Sequence, residues 1–251
     1  MRRPPFTLRP LALSVTLVLT EPMAMAADIL ASAVVGTNPA TTYSSNVVLR
    51  SADNGISVID ATANSVVDAV VSGVVSADAN ETKLIKTGAG TLSLTNNNTY
   101  KGGTEIQDGT LSIARAASLG SGDVVIDAST NQNVTLETQS STTLTQNINL
   151  LGDDATIKTG GTNAGGNITQ ITGTVSGTGQ LIKDGAGTLS LTNNNTYKGG
   201  TDVQNGTVSI ARAASLGSGA VTLNQDTVLE TLSSTTLTQN INLLGDATIK
   251  T

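Results

Sequence analysis

Leu84-Ile-Lys-Thr-Gly-Ala-Gly-Thr-Leu-Ser-Leu-Thr-Asn-Asn-Asn-Thr-Tyr-Lys-Gly-Gly-Thr104 returns 97 residues later as Leu181 to Thr201, with one change, Asp184 in place of Thr87. The match runs on to Gly122 and Gly219. Over those 39 positions only Thr87/Asp184, Glu105/Asp202, Ile106/Val203, Asp108/Asn205 and Leu111/Val208 differ. The copies resume at Leu136-Glu-Thr138 and Leu229-Glu-Thr231, now offset by 93, and run through 140–152 and 233–245 to 155–159 and 247–251. The gaps fall at 127–133 and 153–154, where turns are expected. Stacked repeats tolerate insertions there because the strands stay in register.

Within each copy the apolar period is two. Thr91-Leu-Ser-Leu94, Thr104-Glu-Ile-Gln107, Thr110-Leu-Ser-Ile113, Asp123-Val-Val-Ile126, Val134-Thr-Leu-Glu137, Ile148-Asn-Leu-Leu151, Ala155-Thr-Ile-Lys158 and Gln180-Leu-Ile-Lys183 read as short strands. Each is expected to set apolar residues on one face and Thr, Ser or a charge on the other. Glycine-rich turns separate them. Only residues 114–119, Ala-Arg-Ala-Ala-Ser-Leu, have helical character, for about one turn. At roughly 20–30 residues per coil, the separation of the copies is about four coils of a β-solenoid. An immunoglobulin-like sandwich would need bulky aromatics and separate cores. The expected fold is therefore all-β, a parallel β-helix. Residues 27–83 form a divergent N-terminal cap, 84–180 a first unit and 181–251 a second, incomplete one. Within the cap, residues 71–76 loosely echo 171–176.

Composition agrees with a thin aliphatic core. The 251 residues include no Cys, His or Trp, one Phe (Phe6), three Tyr, 26 Gly and 40 Thr. No His rules out imidazole bases and histidine metal sites, and no Cys rules out disulfides, zinc fingers and thiol nucleophiles. Residues 1–26 read as a signal peptide: Arg2, Arg3 and Arg9, a short apolar run at 11–19, and Ala24-Met-Ala26 as the cleavage signal. The run is too short for a membrane helix, which needs about 20 residues. Cleavage would leave 10 basic and 18 acidic residues. That balance speaks against nucleic acid and anionic membrane surfaces as partners.

The stretch Gly88–Thr104, followed by Gly109-Thr-Leu-Ser-Ile113 and Ser118-Leu-Gly-Ser-Gly122, resembles the passenger-associated β-strand repeat of bacterial autotransporters, and the second copy resembles it equally. The family commonly has Gly where Asn96 and Asn193 stand. The resemblance implies a right-handed parallel β-helix that is exported, with repeats that support passenger folding and transport. It also implies cell-surface, outer-membrane or secreted localisation, often in adhesins of virulence, with host-cell or matrix ligands as partners. It makes Gly88, Gly90, Tyr100, Gly102, Gly103, Gly109, Gly185, Gly187, Tyr197, Gly199, Gly200 and Gly206 structural motif residues. A translocator barrel is not expected in this sequence, because the 32 residues after Gly219 hold no aromatic. The reading is of a passenger truncated before its barrel, periplasmic if no barrel follows.

Chemistry-bearing candidates are sparse. Tyr100 and Tyr197 are expected to pack over turns with wet hydroxyls, the sharper alternative being a sugar-stacking platform. Asn96–Asn98 and Asn193–Asn195 suit turn ladders, with a sugar- or ice-binding face as the alternative. The Thr-rich stretches 140–145 and 233–238 suit outward-facing strand positions. Asp153-Asp154 faces only Asp246 in the second copy, which argues against calcium. Arg115 and Arg212 are duplicated, as a structural residue would be. No nucleophile elbow, phosphate loop or dinucleotide fingerprint occurs. No catalytic residue, cofactor or metal is expected. The competing reading is a β-helical polysaccharide-acting enzyme or a glycan-binding module.

Overall fold

The computed structural model describes residues 29–30, 41–49, 55–57, 67–130, 133–160 and 166–251. The expected signal peptide lies outside them. Every paired strand is parallel to its neighbours, and the chain visits the sheets in cyclic order, so it winds as a β-solenoid. One face carries ten strands, from Thr41–Tyr43 to Ile241–Leu243. A second carries six, from Gly55–Ser57 to Val175–Gly177, and a third carries six, from Thr142–Leu144 to Thr248–Lys250. A three-stranded sheet (Ile29–Leu30, Val47–Leu49, Val75–Ala77) takes the third face's place in the turn order at the N-terminal end. Ile29 pairs with Val47 and Ile56 with Lys86, so a turn takes between 18 and 30 residues.

Stacking explains how a chain without Phe or Trp in these residues builds a core. On the ten-strand face, Leu92 aligns with Leu111, Leu111 with Leu136 and Leu136 with Ile157, all of them buried. On the six-strand second face, Ile106 aligns with Ile126 and Ile126 with Leu150. Each aliphatic rung is covered by the one above, and full burial of each such side chain is worth roughly 1.5–3 kcal/mol. Outward rungs are polar: Ser93, Ser112, Glu137 and Lys158 follow one another, with a 3.1 Å ion pair between the last two. Exposed pairs of this kind contribute little energy, but opposite charges directly across a ladder oppose a slip in register.

The two copies occupy different faces. Leu84–Thr87 and Thr104–Ile106 lie on the second face, with Thr91–Leu94 and Thr110–Ile113 on the ten-strand face. Their counterparts Leu181–Asp184 and Thr201–Val203 lie on the ten-strand face, and Thr188–Leu191 and Thr207–Ile210 on the third. The separation therefore amounts to four turns and one further face. Tyr100 and Tyr197 do not stack on each other for this reason. In the repeat turns the remaining side carries no strand. It is formed by the Asn-rich segment and, one turn on, by a 3₁₀ segment, Ala116–Leu119 or Ala213–Leu216.

The N-terminal stretch is divergent in sequence, yet its described turns repeat the later bonding. Tyr43 O accepts from Ser72 N as Leu144 O does from Thr172 N, both at 2.9 Å. Asn46 Oδ1 accepts from Val74 N (2.9 Å) as Asn147 Oδ1 does from Thr174 N (3.1 Å). A Cβ on Gly73 or Gly173 would lie 2.0 Å from a carbonyl of the preceding turn. The loose sequence echo at 71–76 and 171–176 thus marks a shared corner.

Gly103 and Gly200 show how tightly the turns approach. Their φ angles are +98° and +90°, and an added Cβ would sit 2.5 Å from the carbonyl oxygen of Asp123 or Ala220. Both the left-handed backbone and the contact exclude a side chain. Gly103→Ala is therefore expected to lower stability by about 2–4 kcal/mol, measured as a lower urea midpoint at unchanged slope.

Candidate functional site

The repeat motif converges on two corners, and the first is built around a lysine. In Leu84-Ile-Lys-Thr the strand turns Leu84 and Lys86 inward and leaves Ile85 half exposed. Leu181 and Lys183 point inward in the second copy. This corrects the expectation that the charge of Gln180-Leu-Ile-Lys183 faces outward. Lys86 aligns with Ile56 and Ile106, and Lys183 with Ile157 and Val203, so each ammonium stem replaces an aliphatic rung. Both side chains are 0% exposed.

The reason lies in the turns. Past the end of the strand, carbonyls of the Gly-Ala-Gly turn and of the turn one coil on point into the corner without ladder partners. Lys86 Nζ donates to Thr87 O (3.1 Å), Gly88 O (2.6 Å) and Asp108 O (2.9 Å). Lys183 Nζ donates to Asp184 O (2.9 Å), Gly185 O (2.5 Å) and Asn205 O (2.9 Å). An ammonium has three donors, and three acceptors meet it. A leucine would leave those carbonyls orphaned, at about 1–3 kcal/mol each. Two of the five differences between the copies flank this corner. The carboxylate is Asp108 in the first copy and Asp184 in the second, where Asn205 Nδ2 donates to Asp184 Oδ1 at 2.6 Å.

The second corner is an asparagine bridge. Asn98 Oδ1 accepts from Val75 N of the preceding turn (2.8 Å), while its Nδ2 and its backbone N donate to Ser118 O (2.6 Å) and Ala117 O (2.9 Å) of the next. Asn195 does the same with Val175 N, Ser215 O and Ala214 O, at 2.8, 2.7 and 2.8 Å. One buried side chain thus joins three turns. The Asn triplets do not form a ladder of stacked asparagines: Asn97 and Asn194 are exposed, and only the third residue is used in this way.

Tyr100 and Tyr197 are fully buried beside these bridges, and their hydroxyls share 2.7 Å bonds with Thr104 and Thr201. The expected wet hydroxyl is therefore corrected, since the 3₁₀ segment of the following turn and Gly120 or Gly217 close over the ring. Gly102, Gly187 and Gly199 each lie where a Cβ would come within 2.5 Å of backbone in a neighbouring turn. Gly88, Gly109, Gly185 and Gly206 carry positive φ beside the lysine corners, and Gly90 is buried. Arg115 and Arg212 are exposed, Arg212 donating to Asn194 Oδ1 at 3.4 Å. Among the described residues no group of three acidic side chains is placed to hold a metal ion, and no helix is long and apolar enough to cross a membrane.

The comparisons bear on these same residues. A family model described as the passenger-associated-transport-repeat matches residues 84–113 and 181–210, which contain both lysine corners and the bridging asparagines Asn98 and Asn195. The chain is 36% identical over 137 residues to the adhesin BmaC autotransporter of Brucella suis biovar 1 (strain 1330), an alignment covering 52% of this chain and 4% of that protein. No solved structure matches. Both copies thus match the passenger-associated-transport-repeat model, and both wind into one β-solenoid.

Burial lowers the Lys183 ammonium from 10.5 to about 8, with the charge of Asp184 partly opposing the shift. Between pH 8 and 10.5 the unfolded chain keeps a proton that the folded chain has released, so this group raises stability as pH climbs through that window. Burial also pushes the Tyr100 and Tyr197 hydroxyls up, so their contribution is lost once the unfolded tyrosines ionise above about pH 10. Lys183→Met is expected to remove about 2 kcal/mol of the rise between pH 8 and 10, seen by comparing denaturation midpoints of the two proteins across that range. Asn98→Ala is expected to cost about 2–5 kcal/mol by orphaning Val75 N–H and Ser118 C=O. Asn97→Ala should stay within about 0.5 kcal/mol in the same measurement.

Proposed function

We propose that the chain is a non-catalytic, adhesive passenger segment of an autotransporter-type protein, exported through its leader to the cell surface or released from it. The observation that carries this reading is where the repeat's chemistry goes. The lysines, the third asparagines and the tyrosines of both copies are buried and bonded from turn to turn. The conspicuous motif residues therefore serve the winding of the solenoid, as a passenger that must fold after transport requires. The chain spans about 4% of the length of the adhesin it matches, and the adhesive role is carried over from that protein's name. Host-cell or matrix surfaces are the partners this reading names.

Beads coated with the purified chain should adhere to host-cell monolayers or matrix-coated wells more strongly than beads coated with an unrelated β-solenoid. Equal adherence would sink the adhesive role. The polysaccharide-acting alternative predicts turnover of uronate-containing glycans. The expected result is none, and turnover that disappears in the Arg115→Ala, Asp153→Ala, Asp154→Ala triple variant would overturn the non-catalytic reading.

A further inference from the structure

One surface cleft is lined by residues that the second copy does not fully repeat. Where residues 80–83, 101–104 and 122–125 of three successive turns run onto the second face, they enclose an open cleft of about 580 Å³. Its lining includes Asn80, Glu81, Lys83, Lys101, Asp123 and Val125. Seven residues connect Ser76 to Leu84, whereas four connect Ser176 to Leu181. The longer connection supplies one wall, with Asn80 and Glu81. At the corresponding corner of the second copy Lys83 becomes Gln180, Asp123 becomes Ala220 and Val125 becomes Thr222, while Lys101 is kept as Lys198. The copies agree at 34 of 39 positions over 84–122, yet on either side of that stretch Lys83 and Asp123 have uncharged counterparts. The lysine corner and asparagine bridge appear in both copies and hold the solenoid together. Lys83 and Asp123 of the cleft stand in the first copy alone.

We propose that this cleft binds a saccharide unit, and the proposal rests on the adhesive reading above. The lining is balanced in sign, with two ammonium groups against two carboxylates. A phosphate or a polyamine would leave half of these groups facing a like charge. Adjacent hydroxyls on a sugar ring donate and accept at once, so carboxylates, ammonium groups and the Asn80 carboxamide all find partners on one ring. Lys101, Glu81 and Asn80 are exposed. Lys83 stands 3.6 Å from Glu105, and Asp123 accepts one 3.1 Å bond from Asn147, which leaves its other lone pairs available. Half-buried Val125 and the backbone at Gly102 and Gly122 provide a side-chain-poor wall for the ring's C–H face.

Saturation-transfer NMR and titration calorimetry on the purified chain would use the methyl glycosides of glucose, galactose, mannose, N-acetylglucosamine and glucuronic acid. At least one is expected to bind. Affinity should fall about tenfold or more in the Lys83→Gln, Asp123→Ala double variant, through lost charge-assisted hydrogen bonds. That variant installs the residues the second copy already carries at these places, so its urea midpoint should stay near that of the parent chain. Binding of none of the five, or undiminished binding by a folded double variant, would overturn the proposal. A chain that adheres to cells yet binds no glycoside defeats the cleft alone. A chain that does not adhere defeats the adhesive reading independently.

Discussion

Strands on the faces of a solenoid satisfy their backbone groups turn after turn, but corners cannot, because the chain bends there and its carbonyls converge inward. Everything distinctive about this repeat answers that constraint. The lysine corner places three donors where three carbonyls meet. The asparagine bridge carries an acceptor and a donor across three turns where the repeat's strandless side would otherwise break the ladder. The glycines let the corners of adjacent turns approach to distances no side chain permits. A buried ammonium is expensive in isolation, and here it is tolerated because all of its donors are engaged.

The copies themselves indicate which contacts the fold depends on. They preserve Lys, Asn, Tyr and the glycine pairs while shifting by a whole face of the solenoid. The same local bonds therefore form on different sheets, which means the motif is a self-contained corner rather than part of one particular face. The exchange of Asp108 and Thr87 for Asn205 and Asp184 leaves one carboxylate beside each buried lysine. Charge at the corner is kept while its position moves to the neighbouring turn. The N-terminal turns extend the pattern, since Asn46 and Gly73 repeat the roles of Asn147 and Gly173 with little sequence in common.

The fold class was legible because period-two alternation, glycine turns and an in-register duplication all point to stacked parallel turns. The strands read at 91–94, 110–113, 134–137 and 155–158 sit where the ladders place them. The lysines were misread because alternation alone does not choose a face. In Leu-Ile-Lys-Thr hydropathy favours the Ile–Thr parity for the core, and solvent is the default home of a charge, yet the Leu–Lys parity is the one buried. The tyrosines were misread because their cover comes from a segment one turn later, at a distance that local sequence does not report.

By itself the sequence determined the repeat, the parallel stacking and the length of a turn, since these follow from local alternation and from copies that match residue for residue. Only the tertiary structure decided which way Lys86 and Lys183 point, what Asn98 joins, and that the second copy begins one face later. Those outcomes depend on carbonyls and corners brought together from neighbouring turns about 20 residues apart. Their geometry exists only once the coils are wound.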